Sequence, residues 1–390
     1  MLGVYVHYPY CAKRCPYCDF NVVQPGPEGR PDDRYGEAVL AELAVRAPDY
    51  AGHPPAVSLY FGGGTPALWA PRWIGRVVEA VRASLGLVDG AEITIEANPG
   101  ELTAEAMVAL RAVGVNRLSL GTQSFDAALL TRLGRRNTPA DNRRCVAQAR
   151  AAGFENLSLD LIQAVAGQSV AGAMADVAAV IELEPEHVST YELTIHPQTP
   201  FGARAQRGEV LTADEDVQVE VYERTRDALG IAGILPYEIS NAARPGREAV
   251  HNSLYWNMDE YVALGAGAHG FRWVPDAEGG VQTQPGGVPT GIRWENERHA
   301  GRYMKAALAG TPAHRQLESI DAETLRCERV MTGLRVDRGL AIDAELESAY
   351  GQAAQKLEGQ GLLDRSTPGR WRLTSRGRLV LNQVVATLTA

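Results

Sequence analysis

The sequence predicts an α/β fold: an incomplete (β/α)6-type barrel followed by a smaller, mainly α-helical C-terminal domain. Two observations predict it. Over the first 240 residues, short β-rich runs alternate with amphipathic Ala/Leu/Arg-rich stretches, which implies a parallel sheet with helices outside. Near Ala242 that alternation stops and helical patterning takes over further on. About six βα units suit a partial barrel better than a closed eight-unit one. The pattern alone leaves an open doubly wound sheet as the alternative.

The elements follow in order. Strands are expected at Val4–Tyr8, Val57–Phe61, Glu92–Glu96, Arg117–Leu120, Asn156–Leu161, His187–Leu193 and Ile234–Ile239. The helices between them are expected at Asp32–Arg46, Trp73–Leu85, Thr103–Val113, Pro139–Ala152, Val170–Leu183 and Asp214–Leu229. Ala242–Gly246 is punctuated by Pro and Gly, and Val274–Gly291 reads as a surface loop or hairpin. Ala322–Leu334 and Ala341–Gln360 read as helices, followed by a short Trp371–Leu373 strand and a last helix. We therefore expect a barrel over 1–242, a connecting region over 243–309 and an α-rich domain over 310–390.

Composition narrows the function. The 390 residues carry 38 Lys+Arg and 47 Asp+Glu, a net charge of −9. That balance argues against a general nucleic-acid binder, because phosphate surfaces recruit positive charge. No run approaches the ~20 apolar residues of a membrane span, and Met1–His7 lacks the charged and apolar stretches of a signal peptide. The chain reads as cytoplasmic, a reducing compartment where clustered cysteines bind metal or do chemistry rather than form disulfides. Of the five cysteines, Cys11, Cys15 and Cys18 lie within eight residues. Cys145 and Cys327 stand alone in helical contexts and read as buried fillers.

Ligands of parallel βα folds bind at the carboxyl ends of the strands. Unusual residues follow the expected strands: the cysteine loop, then Gly62-Gly63-Gly64-Thr65-Pro66, Glu96-Ala97-Asn98-Pro99, Gly121-Thr122-Gln123-Ser124, Asp160 and Tyr191. Such a layer points to one composite site. In C-x3-C-x2-C, three thiolates can each bind one iron of a [4Fe–4S] cluster, which usually takes four cysteines. Three leave one iron open to a ligand with amine and carboxylate groups. A zinc site or three buried thiols are the alternatives, but no second short-spaced pair is present.

These motifs, with Tyr17 before the third cysteine and Tyr5-Val6-His7-Tyr8-Pro9 before the first, resemble the radical S-adenosylmethionine (SAM) superfamily. More narrowly they resemble the group holding oxygen-independent coproporphyrinogen III oxidase (HemN) and the haem chaperones (HemW). The resemblance implies that Cys11, Cys15 and Cys18 hold the cluster and that SAM completes it. It implies that Gly63, Gly64, Thr65, Glu96, Gln123, Arg135 and Asp160 contact SAM, although Arg136 stands beside Arg135 as the other candidate. Tyr5 would lie beside the cluster and Tyr17 on the adenine side.

Two features divide the group. HemN-type enzymes carry a fourth cysteine where this chain has Phe20, and His251-Asn252-Ser253-Leu254-Tyr255-Trp256 matches the H-N-x-x-Y-W signature of the chaperones. That match implies haem binding. An imidazole such as His251 can be an axial iron ligand, and Tyr255 and Trp256 offer flat apolar faces. A capped helix packing its aromatics inward is the plainer alternative. His269 is a second histidine near this segment. The implied function is a haem chaperone delivering haem to an acceptor apo-haemoprotein; the alternative is a coproporphyrinogen III oxidase of porphyrin biosynthesis. A homodimer is left open. After Asp160, where the group has a Tyr-Gly-Leu-Pro-Gly-like run, this chain reads Gln163-Ala164-Val165-Ala166-Gly167.

Overall fold

The computed structural model describes residues 1–274 and 290–390. The first strand, β1 (Leu2–Tyr8), is buried on both faces, as a strand inside a helix-covered parallel sheet must be. It pairs in parallel with β2 (Ala56–Gly63). The sheet continues in parallel through β3 (Leu87–Ala97), β4 (Arg117–Gln123), β5 (Leu157–Gln163) and β6 (His187–Glu192). Helices α1 (Asp32–Arg46), α2 (Pro71–Ser84), α3 (Ala104–Ala112), α4 (Ala127–Arg132), α5 (Pro139–Ala151) and α6 (Val170–Glu182) make the crossovers. Their starts are set by local chemistry. Thr103 and Ser169 accept a backbone N–H from Ala106 and Gly172, and Thr138 with Asp141 closes a reciprocal box at the start of α5.

Past β6 and the helices α7 (Pro200–Ala205) and α8 (Glu215–Ile231), the strand expected at Ile234–Ile239 is only a two-residue piece. β7 (Leu235–Pro236) and β8 (Asn241–Ala243) form a small hairpin, and β8 runs antiparallel to β6. Pro236 has no N–H to extend a ladder, which confines it to the margin of a sheet.

The described part of residues 243–309, expected to connect two domains, is built into the main sheet. After α9 (Val250–Trp256), β9 (Glu260–Leu264) lies parallel to β1 on its other side. β10 (His269–Trp273) and β11 (Gly291–Asn296) follow antiparallel, and beyond α10 (Ala300–Leu308) β12 (His314–Ile320) closes that edge. The loop or hairpin expected at 274–291 falls largely on residues outside those described. Among the described residues the sheet therefore has twelve strands in the order β12-β11-β10-β9-β1-β2-β3-β4-β5-β6-β8-β7, open at both ends. β1 sits inside it, and α9 packs on β1 because Gly3 has no side chain: a Cβ there would lie 2.4 Å from Leu254 Cδ1.

The C-terminal region has its own core. α11 (Ala322–Arg335), α12 (Ala344–Gly359), α13 (Ser375–Leu379) and α14 (Leu381–Leu388) surround a three-stranded sheet of β13 (Leu340–Ala341), β14 (Leu363–Asp364) and β15 (Arg370–Leu373). Val330, Leu346, Leu357, Trp371 and Val384 are buried within it. Among the described residues no helix is long and apolar enough to cross a membrane.

Candidate functional site

A cavity of about 370 Å3 opens at the carboxyl ends of β2 to β6. Cys11, Cys15 and Cys18 form one wall. Backbone bonds fix their loop: Cys11 N–H donates to Val23 O at 3.0 Å, Val23 N–H to Pro9 O at 2.7 Å, and Phe201 N–H to Pro16 O at 2.9 Å. All three thiols are free, and burial pushes Cys11 up to about 11 and Cys18 upward too. Two donors reach the sulfurs. Thr65 Oγ1 donates to Cys11 Sγ, and Arg135 Nη1 to Cys15 Sγ, each at 3.6 Å. Among the described residues no three His, Cys, Asp or Glu side chains converge closely enough to hold a single metal ion.

The glycine run has a different origin from close approach to a ligand. Gly63 has φ 110°, and a Cβ on it would meet the His7 ring at 2.5 Å; one on Gly64 would meet the Pro9 and Tyr10 backbone at 2.8 Å. The neighbouring strand thus excludes side chains here before any ligand arrives. Gly63 N–H then donates to Glu96 Oε2 at 3.0 Å, while Tyr60 OH donates to Glu96 Oε1 at 2.8 Å.

Glu96 and Asp160 form the floor. Burial lifts Glu96 to about 7 and Asp160 to about 6. Ser119 Oγ donates to Asp160 at 3.3 Å. With them stands Arg117, a cation that is 2% exposed, lines the cavity and has no hydrogen-bond partner at Nε. Its charge pulls both carboxyls back down. Glu92 lies 3.8 Å from it.

Of the arginine pair, Arg135 lines the cavity and Arg136 is exposed. Arg135 Nη2 donates to Asn98 Oδ1 at 2.6 Å and to Gly121 O at 2.8 Å, and Asn98 Nδ2 donates to Thr65 Oγ1 at 3.0 Å. Gln123 occupies a left-handed backbone position, φ 64°, and its buried Oε1 has no partner. Ala164, in the run that departs from the group pattern, is left-handed too, φ 62°. Its neighbour Gln163 points away from the cavity and donates to Thr225 Oγ1 at 2.9 Å. Tyr17 lines the cavity and tilts against Phe201. Tyr5 stacks on Tyr60 at 6.1 Å and bonds His7 Nδ1 at 3.1 Å.

The His251–Trp256 segment is α9, and its side chains part company. His251 is 1% exposed, with Nδ1 2.9 Å from Ser58 Oγ and Nε2 2.8 Å from Tyr255 OH. Its ring stacks on Tyr60 at 5.1 Å and lies beside Tyr5 at 6.2 Å. Burial holds it neutral, down at about 3. Glu92 accepts the N–H groups of Val250 and His251 at 3.0 and 3.1 Å. Tyr255 sits edge-on to Tyr261 at 4.7 Å. Trp256 points the other way, under the Arg335 guanidinium at 4.6 Å. Asn252 alone of the segment reaches the first cavity. His269 stands half-exposed at the start of β10, 3.9 Å from Glu295.

Arg117 and Tyr60 also line the cavity and were not among the residues expected there. Arg117 carried a signal: a charged residue opening an otherwise apolar strand, Arg117-Leu118-Ser119-Leu120.

Comparison with known proteins matches residues 5–172 to the radical SAM superfamily and 320–380 to the HemN C-terminal domain. The heme chaperone HemW of Mycobacterium tuberculosis H37Rv is 35% identical over 387 residues, covering 99% of this chain and 94% of that protein. HemW of Escherichia coli K12 is 34% identical over 388 residues, covering 98% and 97%. In fold, the structure of coproporphyrinogen III oxidase (HemN) from Escherichia coli superposes with a TM-score of 0.80 at 21% identity, covering 100% of this chain and 90% of that one. The chain belongs to the radical SAM superfamily and, within it, to the HemW family.

Proposed function

We propose that this protein is a haem chaperone on a radical SAM scaffold: it takes up haem and passes it to an acceptor apo-haemoprotein, and it carries a [4Fe–4S] cluster on Cys11, Cys15 and Cys18 that SAM completes. The observation that carries this reading is the convergence of three free thiols and the polar strand ends on one cavity, in a chain about as long as its HemW relatives.

The residues fit the groups proposed. Three thiols that do not close around one ion suit a multi-iron cluster better than zinc. Because burial favours the protonated form of Cys11 and Cys18, loading must release protons and weaken at low pH. Gln123 Oε1, buried and unpartnered, needs a donor that SAM's amine would supply. Arg135, already beside Cys15, presents a cation to a carboxylate. When bound, a cluster with SAM supplies one-electron chemistry; these side chains bind, orient and neutralise charge around it.

The competing reading is coproporphyrinogen III oxidation. Phe20, 60% exposed at the cavity rim in place of a fourth cysteine, favours the chaperone. The test is anaerobic cluster reconstitution, then parallel haemin titration and coproporphyrinogen III turnover. We expect stoichiometric haemin binding without turnover; robust decarboxylation with no haemin binding would overturn the proposal.

A further inference from the structure

A second cavity, of about 380 Å3, lies where α9 meets the C-terminal helices. That volume is in the small-molecule range of roughly 300–1,000 Å3. Its lining combines the apolar side chains of Trp256, Met258, Trp273, Leu325 and Val336 with four arginines, Arg326, Arg329, Arg338 and Arg370, and one carboxylate, Glu345. We propose that haem docks in this cavity, with the Met258 thioether presented to the iron and Arg338 and Arg370 receiving the propionates. This deepens the haem reading above and rests on it.

Met258 stands just beyond the end of α9 with φ 56°. Glycine or asparagine usually holds such a helix-ending left-handed position, so a methionine there is strained and calls for a role. Its side chain packs half-buried against the Phe271, Ile320 and Leu325 cluster. A thioether is one of the axial ligands that proteins give haem iron. Trp256 and Trp273 add flat apolar faces of the kind a porphyrin covers, and Trp256 Nε1 is buried without a partner.

The arginines divide into two pairs. Arg326 and Arg329 are neutralised by Glu345 at 3.1 Å and Asp343 at 2.6 Å. Arg338 meets only the Asn257 amide oxygen, and Arg370 only backbone carbonyls, with Gly339 O at 3.1 Å. Neither has a carboxylate partner among the described residues. Two unneutralised guanidinium groups beside an aromatic, thioether-bearing wall match a flat apolar molecule that bears two carboxylates. His251 offers none of this: both its ring nitrogens are engaged inside the sheet core.

The test titrates the full-length protein with haemin and, separately, with iron-free protoporphyrin IX, following the Soret band and tryptophan fluorescence. Met258→Leu should weaken haemin binding about tenfold and change the ferric spectrum, while protoporphyrin IX binding stays put. The double variant Arg338→Gln/Arg370→Gln should weaken both ligands about tenfold or more. Met258→Gly separates folding from ligation: glycine accepts the left-handed backbone, so the melting midpoint should hold or rise while the spectrum changes. His251→Ala should keep the haemin spectrum. Unchanged affinities and spectra in the Met258 and arginine variants would overturn this site while leaving the haem reading intact. Failure of the unaltered protein to bind haemin would overturn both.

Discussion

At the carboxyl ends of β3, β4 and β5, side chains line an open cavity with a partner missing: Gln123 Oε1 is buried and unpaired, and Gln123 and Ala164 hold left-handed backbones. On α9, by contrast, both His251 nitrogens are taken and its ring is stacked among tyrosines. Both regions carry motifs in the sequence. The difference teaches that a motif marks a neighbourhood, while burial and hydrogen bonding decide which of its side chains still has something to offer a ligand. Unpaired groups and strained backbone are costly unless function requires them.

Four changes would break or sharpen that comparison. The largest effect is expected from Cys15→Ser, which should abolish the brown absorbance of the reconstituted cluster; absorbance that survives would remove the thiol wall from the site. His251→Ala should cost about 4 kcal/mol of stability, since it empties a ring-sized space and strands Ser58 Oγ and Tyr255 OH. Denaturant unfolding measures it, and a loss below about 1 kcal/mol would contradict a sealed, structural imidazole.

Glu96→Gln probes the open region through pH. The unfolded carboxyl releases its proton near 4.5, the folded one only at about 7. Between those values the folded chain binds more protons, so stability falls as pH rises through that window and stays lower above it. The shift corresponds to about 3 kcal/mol; because the carboxyl opens onto the cavity, we expect about 2 kcal/mol. The variant should therefore gain that much over the parent at pH 8 and little at pH 4; equal gains at both would exclude the carboxyl as the cause. The smallest effect is expected from Ala164→Gly, which should add about 1 kcal/mol by relieving a left-handed alanine, read as a raised melting temperature.

Much of this was legible beforehand. The six parallel strands follow from apolar β-rich runs, and α1 spans Asp32–Arg46 as its pattern predicts. The strand-end layer was legible because parallel βα topology leaves only one end of the sheet for ligands. β12 was not, because His314–Leu317 and its neighbours are exposed and carry no alternating signal. Nor was the inward turn of His251, which depends on Gly3 admitting α9 from hundreds of residues away in the chain. The same gap hid Met258, whose left-handed backbone leaves no trace in composition.

The position of β1 has a consequence for how the protein is made. Its amino terminus bonds Asp259 at a separation of 258 residues, and Leu2 pairs with Glu260. During synthesis at roughly 5–20 residues per second, the N-terminal strand waits many seconds for its second neighbour. Long-range pairing of this kind is slow to form. The cysteine loop that follows β1 is thus tethered to an unfinished sheet for most of translation, until the chain has passed β9.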